Sequence, residues 1–269
     1  MKKAIFGLLF AAASILLYSA CSDKDDTTPS GKTYVLVHGS FQGAYAWQFL
    51  QPKLEAQGHK VVVVELQAHG NDNTPPSQAS ITAYRDKVIS AIEGLQGKVI
   101  LVGHSMGGMV ISIVAEKIPT RIEKLVYIAG FVPLNGQSLF DLASQDHQSL
   151  LGPALMPSAD MLTFSLTDAS VPPIFCQDGS TAIKQMLIDE NRPEPAIPFT
   201  QAVSVTSGAF GSVSKYYIRT TLDNTVGIDL QDQMLAAGNI TNIYTIVSGH
   251  CPFLTQPDVV TDILLNKIK

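Results

Sequence analysis

Six short runs of apolar residues recur along the chain, at 34–37, 60–64, 99–102, 125–129, 216–218 and 243–247. They are near-continuous rather than alternating, which predicts strands covered on both faces, as in a parallel sheet. Between them the apolar positions take the three-to-four-residue spacing of helices, over 44–57, 81–93, 107–117, 230–236 and 258–268. Strand and helix in alternation predict a doubly wound, mostly parallel α/β sheet. The rhythm stops from Pro133 to about Gly211, where Met, Phe, Leu and Pro dominate and Pro172-Pro173 and Pro193-Glu194-Pro195 punctuate short helical pieces. A bare loop of that length does not suit a compact domain, so the stretch predicts a helical cap insertion over the carboxyl ends of the strands.

The front of the chain follows a different pattern. Lys2 and Lys3, the apolar residues 4–17, then Ser19-Ala20-Cys21 read as an export signal over 1–20, too short for a membrane span of about 20 apolar residues. Small residues before Cys21 and the polar run 22–26 after it resemble a bacterial lipoprotein signal, although Tyr18 stands where such signals carry an aliphatic residue. That resemblance implies acylation of Cys21, a membrane contact through the lipid, and a cell-envelope location in a Gram-negative bacterium. Residues 21–32 read as a polar, proline-containing tether, and 33–269 as the folded domain. Removing the first 20 of 269 residues takes two lysines with it, so the formal charge moves from −5 to −7. A mildly acidic chain without basic clusters argues against nucleic acid as a partner. Cys176 and Cys251 are the remaining cysteines, expected as free thiols, and no C-x-x-C or histidine spacing suggests a metal.

Chemistry enters at Gly103-His104-Ser105-Met106-Gly107, directly after the run 99–102. A serine between glycines at a strand-to-helix turn is a nucleophile elbow, with Oγ lifted out of a strained backbone. A serine needs a base, and in such folds the order is Ser, acid, His. Of the histidines after Ser105, His147 lies in polar cap sequence, whereas His250 follows the last strand through Ser248-Gly249, on the edge where catalytic groups gather. His250 is the expected base. Asp223, in the loop after 216–218, is the expected acid, with Asp229 and Asp232 as rivals. Backbone amides of Ser40, after Val37-His38-Gly39, and of Met106 are the expected oxyanion donors. His38 is expected to brace its loop by hydrogen bonds.

The segments Val35-Leu36-Val37-His38-Gly39-Ser40-Phe41-Gln42-Gly43-Ala44-Tyr45-Ala46-Trp47, the elbow, Leu222-Asp223-Asn224 and Gly249-His250-Cys251-Pro252-Phe253 together resemble the α/β-hydrolase family of plant methyl esterases and hydroxynitrile lyases. The resemblance implies an α/β-hydrolase fold with a cap, and the triad Ser105, Asp223 and His250. Lyases of this kind carry a threonine after the first-strand histidine and a lysine after the catalytic one; here those positions are Gly39 and Cys251. Without the cation the lyase reaction loses its main electrostatic term, so ester hydrolysis through an acyl-enzyme is favoured over the lyase alternative and over a non-catalytic small-ligand binding protein. No cofactor is required. Gly39, Phe41, Phe164, Phe175 and Cys251 are expected to line the substrate pocket, and the apolar cap suits a small or medium uncharged ester.

Overall fold

A computed structural model describes residues 31–268. The expected export signal, Cys21 and residues 22–30 of the tether lie outside the described residues. Nine strands are present among the described residues: β1 (Thr33–Val37), β2 (Lys60–Val64), β3 (Val99–His104), β4 (Ile122–Ile128), β5 (Met156–Pro157), β6 (Thr163–Ser165), β7 (Glu194–Pro195), β8 (Lys215–Thr220) and β9 (Asn242–Ile246). Six of them form one parallel sheet in the order β2-β1-β3-β4-β8-β9. The domain starts slightly earlier than expected. Lys32, assigned to the tether, already donates its amide to His59 Nδ1 (3.0 Å) and pairs with Glu123 (2.9 Å).

The apolar runs are explained by burial on both faces. Val35, Val37, Leu101 and Tyr127 point into one core layer, while their alternating neighbours Tyr34, Leu36, Ile100 and Val102 fill the other. Helices Ile81–Glu93, Gly107–Lys117 and Ile228–Ala237 cover the first layer; Trp47, Leu54 and the C-terminal helices cover the second. The helix expected over 44–57 is divided into a 3-10 turn, Ala44–Trp47, and a short helix, Gln51–Glu55. Pro52 has no N–H to continue a helix from the preceding turn, but it suits the first turn of a new one.

The cap has the expected helical pieces and a small sheet besides. Alongside Val171–Phe175 and Thr181–Asp189 it contains a three-stranded antiparallel sheet, β5-β6-β7. Strands of two or three residues are too short to show a period of two, and Pro193-Glu194-Pro195, read as punctuation, supplies one of them. The cap grips loops that leave the carboxyl edge of the main sheet. Asn224 Nδ2 donates to Pro173 O (2.9 Å), Thr225 Oγ1 to Ile174 O (2.9 Å), and the Gly249 amide to Asp178 (2.9 Å).

Candidate active site

Strand order reverses between β1 and β3, since β1 is flanked by β2 on one side and β3 on the other. The loops leaving β1 and β3 diverge there and open a crevice at the carboxyl edge. Ser105 sits in that crevice with φ of 53°, a left-handed conformation that a non-glycine residue holds only under constraint. The constraint is close packing: a Cβ on Gly103 would lie 2.6 Å from Gly107 O, and one on Gly107 would lie 2.6 Å from Val37 O. The elbow is thus wedged between β1 and its own helix. Ser105 O accepts the amides of Gly108 (2.9 Å) and Phe131 (3.0 Å), which completes the turn.

His250 is fully buried, and its Nδ1 is 2.8 Å from Asp223 Oδ2. A carboxylate opposite Nδ1 places the proton on that nitrogen and leaves Nε2 as a lone-pair acceptor. Nε2 is buried and has no hydrogen-bond partner. Asp223 is fully engaged: Oδ2 also accepts Thr220 Oγ1 (2.8 Å), and Oδ1 accepts the amides of Thr225 and Val226 (both 2.8 Å). The rivals are elsewhere occupied. Asp229 is exposed in the first turn of helix Ile228–Ala237, and Asp232 pairs with Arg219 at 2.5 Å. His147 is exposed, as its polar context suggested.

His104, the residue before Ser105, was overlooked in the sequence. Its Nε2 donates to the His250 carbonyl (3.0 Å), and the two rings lie 4.4 Å apart. The loop bearing His250 is therefore anchored beside the elbow. Burial, with the nearby His250, holds His104 well below the ordinary histidine range, so it serves as a neutral strut.

The amides of Ser40 and Met106, the expected oxyanion donors, meet no acceptor among the described residues, and the two side chains touch, with Ser40 Oγ donating to Met106 Sδ (3.3 Å). His38 Nδ1 donates to Gly39 O (2.9 Å) while Nε2 accepts the Leu66 amide (3.1 Å), the bracing role expected for it. Burial and the neighbouring His69 pull its pKa down to about 3. Gly39 has no room for a side chain, because a Cβ there would lie 2.6 Å from Ser105 Cβ.

Of the expected pocket residues, Phe175 and Phe41 come together with ring centroids 5.9 Å apart, and Phe175 is 6.0 Å from the His250 ring. Cys251 is buried and accepts Gln42 Nε2 (3.1 Å); burial pushes its thiol well above the usual range, so it presents no charge. Cys176 and Cys251 are free thiols. Phe164, half-buried, packs edge-on against Phe199 (5.5 Å) and also against the cluster that holds Phe41 and Phe175. Three further residues that the sequence reading passed over hold the site's loops. Asp178 accepts the Gly249 amide, Gln177 Nε2 bonds to Leu222 O, and Glu194 accepts the Phe41 amide. His69 follows β2 on the same carboxyl edge as His250, a positional signal that could have drawn attention to it.

Comparison with known proteins places this geometry in context. Over 253 residues the chain is 29% identical to putative methylesterase 14, chloroplastic, of Arabidopsis thaliana, covering 87% of this chain and 71% of that protein. It spans 63% and 56% of the longer putative methylesterases 11 and 13 of the same plant. Methylesterase 9 of Arabidopsis thaliana is 30% identical over 265 residues, with 87% of this chain and 97% of that protein covered. Among solved structures, an extracellular alpha/beta-hydrolase from a Paenibacillus species, described as sharing homology with tobacco Salicylic Acid Binding Protein 2, superposes with a TM-score of 0.73 at 26% identity, covering 87% and 98% of the two chains. Residues 34–263 match the Alpha/beta hydrolase family, and with the parallel sheet, the elbow and these relatives the chain belongs to that family.

Proposed function

We propose that the protein is a serine esterase that cleaves small to medium uncharged carboxylic esters through an acyl-enzyme. The observation that carries this reading is His250, whose Nδ1 is committed to Asp223 while its buried Nε2 is left without a partner next to a strained serine elbow. Nε2 takes the Ser105 proton as Oγ attacks the ester carbonyl, and Asp223 stabilises the imidazolium that results. The carbonyl oxygen becomes an oxyanion held by the Ser40 and Met106 amides. His250 then protonates the departing alcohol, and water enters by the same base to release the acid. The esterase names of the relatives support the reaction class. Phe41, Phe175 and the neutral Cys251 support an uncharged acyl group, since none of them offers a counter-charge.

A chain-length panel of aryl and alkyl esters and lactones tests the reaction, run beside mandelonitrile as the lyase substrate. Hydrolysis of simple aryl esters is expected, with no cyanide released above the uncatalysed rate, because no cation stands where Cys251 is. Cyanide release that depends on Ser105 would reverse the assignment.

We further propose that the enzyme works as an exported lipoprotein, anchored through an acylated Cys21. The support is the residue pattern Ser19-Ala20-Cys21 behind an apolar segment. Mature protein should enter the detergent phase on Triton X-114 partition, and Cys21→Ala should leave it in the aqueous phase. Wild-type protein recovered from the aqueous phase with a free Cys21 thiol would refute the anchor and point to Tyr18 as the residue that spoils the signal.

A further inference from the structure

The loop carrying Ser40 is held by an ion pair buried beneath the cap. Glu194, on β7, is 1% exposed, and its Oε2 accepts both the Phe41 amide (2.5 Å) and His69 Nε2 (3.0 Å). The other ring nitrogen, Nδ1, faces the Gln67 carbonyl (2.9 Å). A ring whose two nitrogens both face acceptors must donate from both, which makes His69 an imidazolium. Oε2 receives the Phe41 amide and faces the His69 ring, and its charge and hydrogen bond raise the His69 pKa, which favours the ionised form of both partners. The pair is therefore ionic, and its side chains are 2% and 0% exposed.

Its position gives it a task. Two consecutive peptide units of this loop are clamped from different directions: the Gly39 carbonyl, whose peptide carries the Ser40 amide, accepts His38 Nδ1, and the next amide, that of Phe41, is taken by Glu194. Phe41 has φ of 59°, a left-handed conformation that an aromatic residue avoids without an external hold. The rings of His38 and His69 are 5.0 Å apart, and the charge of the second helps to keep the first neutral and correctly protonated. We propose that Glu194, neutralised by His69, is a positioning residue that fixes the turn at Ser40-Phe41 and thereby aims the Ser40 amide at the oxyanion. The proposal rests on the esterase reading for the identity of that oxyanion. The role of His69 is electrostatic as well as steric. A lone carboxylate one peptide from the oxyanion would oppose its charge, and an imidazolium partner cancels that field.

Loss of the proton from His69 should undo the clamp. The groups facing its ring are Glu194 from the cap, His38 from the loop after β1, Tyr84 from helix Ile81–Glu93, and Glu65 at the end of β2. Burial works against the charge, but Glu194, the hydrogen bond to Gln67 and Glu65 outweigh it and raise the His69 pKa. With a raised pKa the clamp is present at low pH and is lost as pH rises through the folded value. In Glu194→Gln the imidazolium loses its counter-ion. Once His69 is neutral, its bare Nε2 needs a donor where the Phe41 amide needs an acceptor, and one amide atom at the Oε2 position cannot serve both.

The test combines kinetics on p-nitrophenyl acetate with amide hydrogen exchange in wild type, Glu194→Gln and the milder His69→Gln. Expected for Glu194→Gln are a kcat about tenfold to a hundredfold lower with KM within about threefold, and loss of the basic limb of the kcat–pH profile. Exchange at the Phe41 amide should rise by about tenfold or more while Val102, in the centre of β3, stays unchanged. His69→Gln, which keeps a donor but not the charge, should give the same pattern in weaker form. A kcat within about twofold of wild type, or exchange that rises equally at Phe41 and Val102, would overturn the proposal. If wild type hydrolyses no ester, the esterase reading fails by itself, and Phe41 exchange still decides whether Glu194 holds the loop.

Discussion

Ser105→Ala should abolish covalent labelling by a fluorophosphonate and lower kcat for ester hydrolysis by about a million-fold, toward the rate left by binding and oxyanion contacts alone. Its effect on stability should be small, because alanine shares the left-handed strain at φ of 53°. Ser105→Gly should be as inactive but more stable, by about 1 kcal/mol, since glycine adopts that conformation without a Cβ penalty. For a domain of this size the gain corresponds to a Tm about 2–4 °C higher. Together the two variants separate the chemical use of the serine from the cost of holding it there. Intact-protein mass spectrometry and thermal denaturation read both effects. A fluorophosphonate adduct mapped to another serine, or hydrolysis retained by the alanine variant, would remove Ser105 as nucleophile.

That strain has a visible origin in how the sheet is assembled. The parallel order sends the loops after β1 and β3 in different directions, so the elbow can be pressed against Val37 without meeting a neighbouring strand on that side. The cap then closes over it through contacts with loops that carry the candidate groups. Glu194 acts beside Ser40, Asp178 beside His250, and Gln177 beside Asp223. A cap joined by that many polar ties to the working loops acts as part of the site's frame, and substitutions in it should disturb turnover before they disturb the core.

The sheet was legible in the sequence because strands buried on both faces must be apolar at successive positions. Helix Ile81–Glu93 was legible to the residue, since Ser80 caps its first turn through the Ala83 amide and Gly94 ends it. Ser105 and His250 also carry local signals, a glycine-flanked turn and a strand-to-loop junction. The acid did not: Asp223, Asp229 and Asp232 all follow the same strand, and only the folded loop decides which carboxylate meets Nδ1. Glu194 and His69 are 125 positions apart, and the three-residue strand β6 pairs with strands of two residues. Neither relation leaves a periodicity or a motif.

Asp223→Asn should lower kcat by about ten-thousand-fold with the fold intact. The hydrogen bonds dictate which way the new amide must sit. Oδ1 accepts the amides of both Thr225 and Val226, and an NH2 group placed there would face two donors. The asparagine therefore keeps its oxygen on that side and turns its NH2 toward Thr220 Oγ1, which can accept, and toward His250 Nδ1, which as an N–H cannot. The imidazole resolves the clash by moving its proton to Nε2, where it donates and can no longer take a proton from Ser105. Loss of activity thus arises from a tautomer, not from unfolding, and the Tm should stay within a few degrees of wild type. Asp223→Ala should be less stable as well as inactive, since it leaves the buried Thr220 hydroxyl and two loop amides short of an acceptor. Asp229→Asn should change little, and Asp232→Asn should cost only the ion pair with Arg219 on a half-exposed surface. Steady-state kinetics with a single aryl ester across these four variants ranks the carboxylates directly. An Asp223→Asn enzyme within about tenfold of wild type, beside an inactive Asp229→Asn, would transfer the acid's role to the neighbouring helix and contradict the tautomer argument.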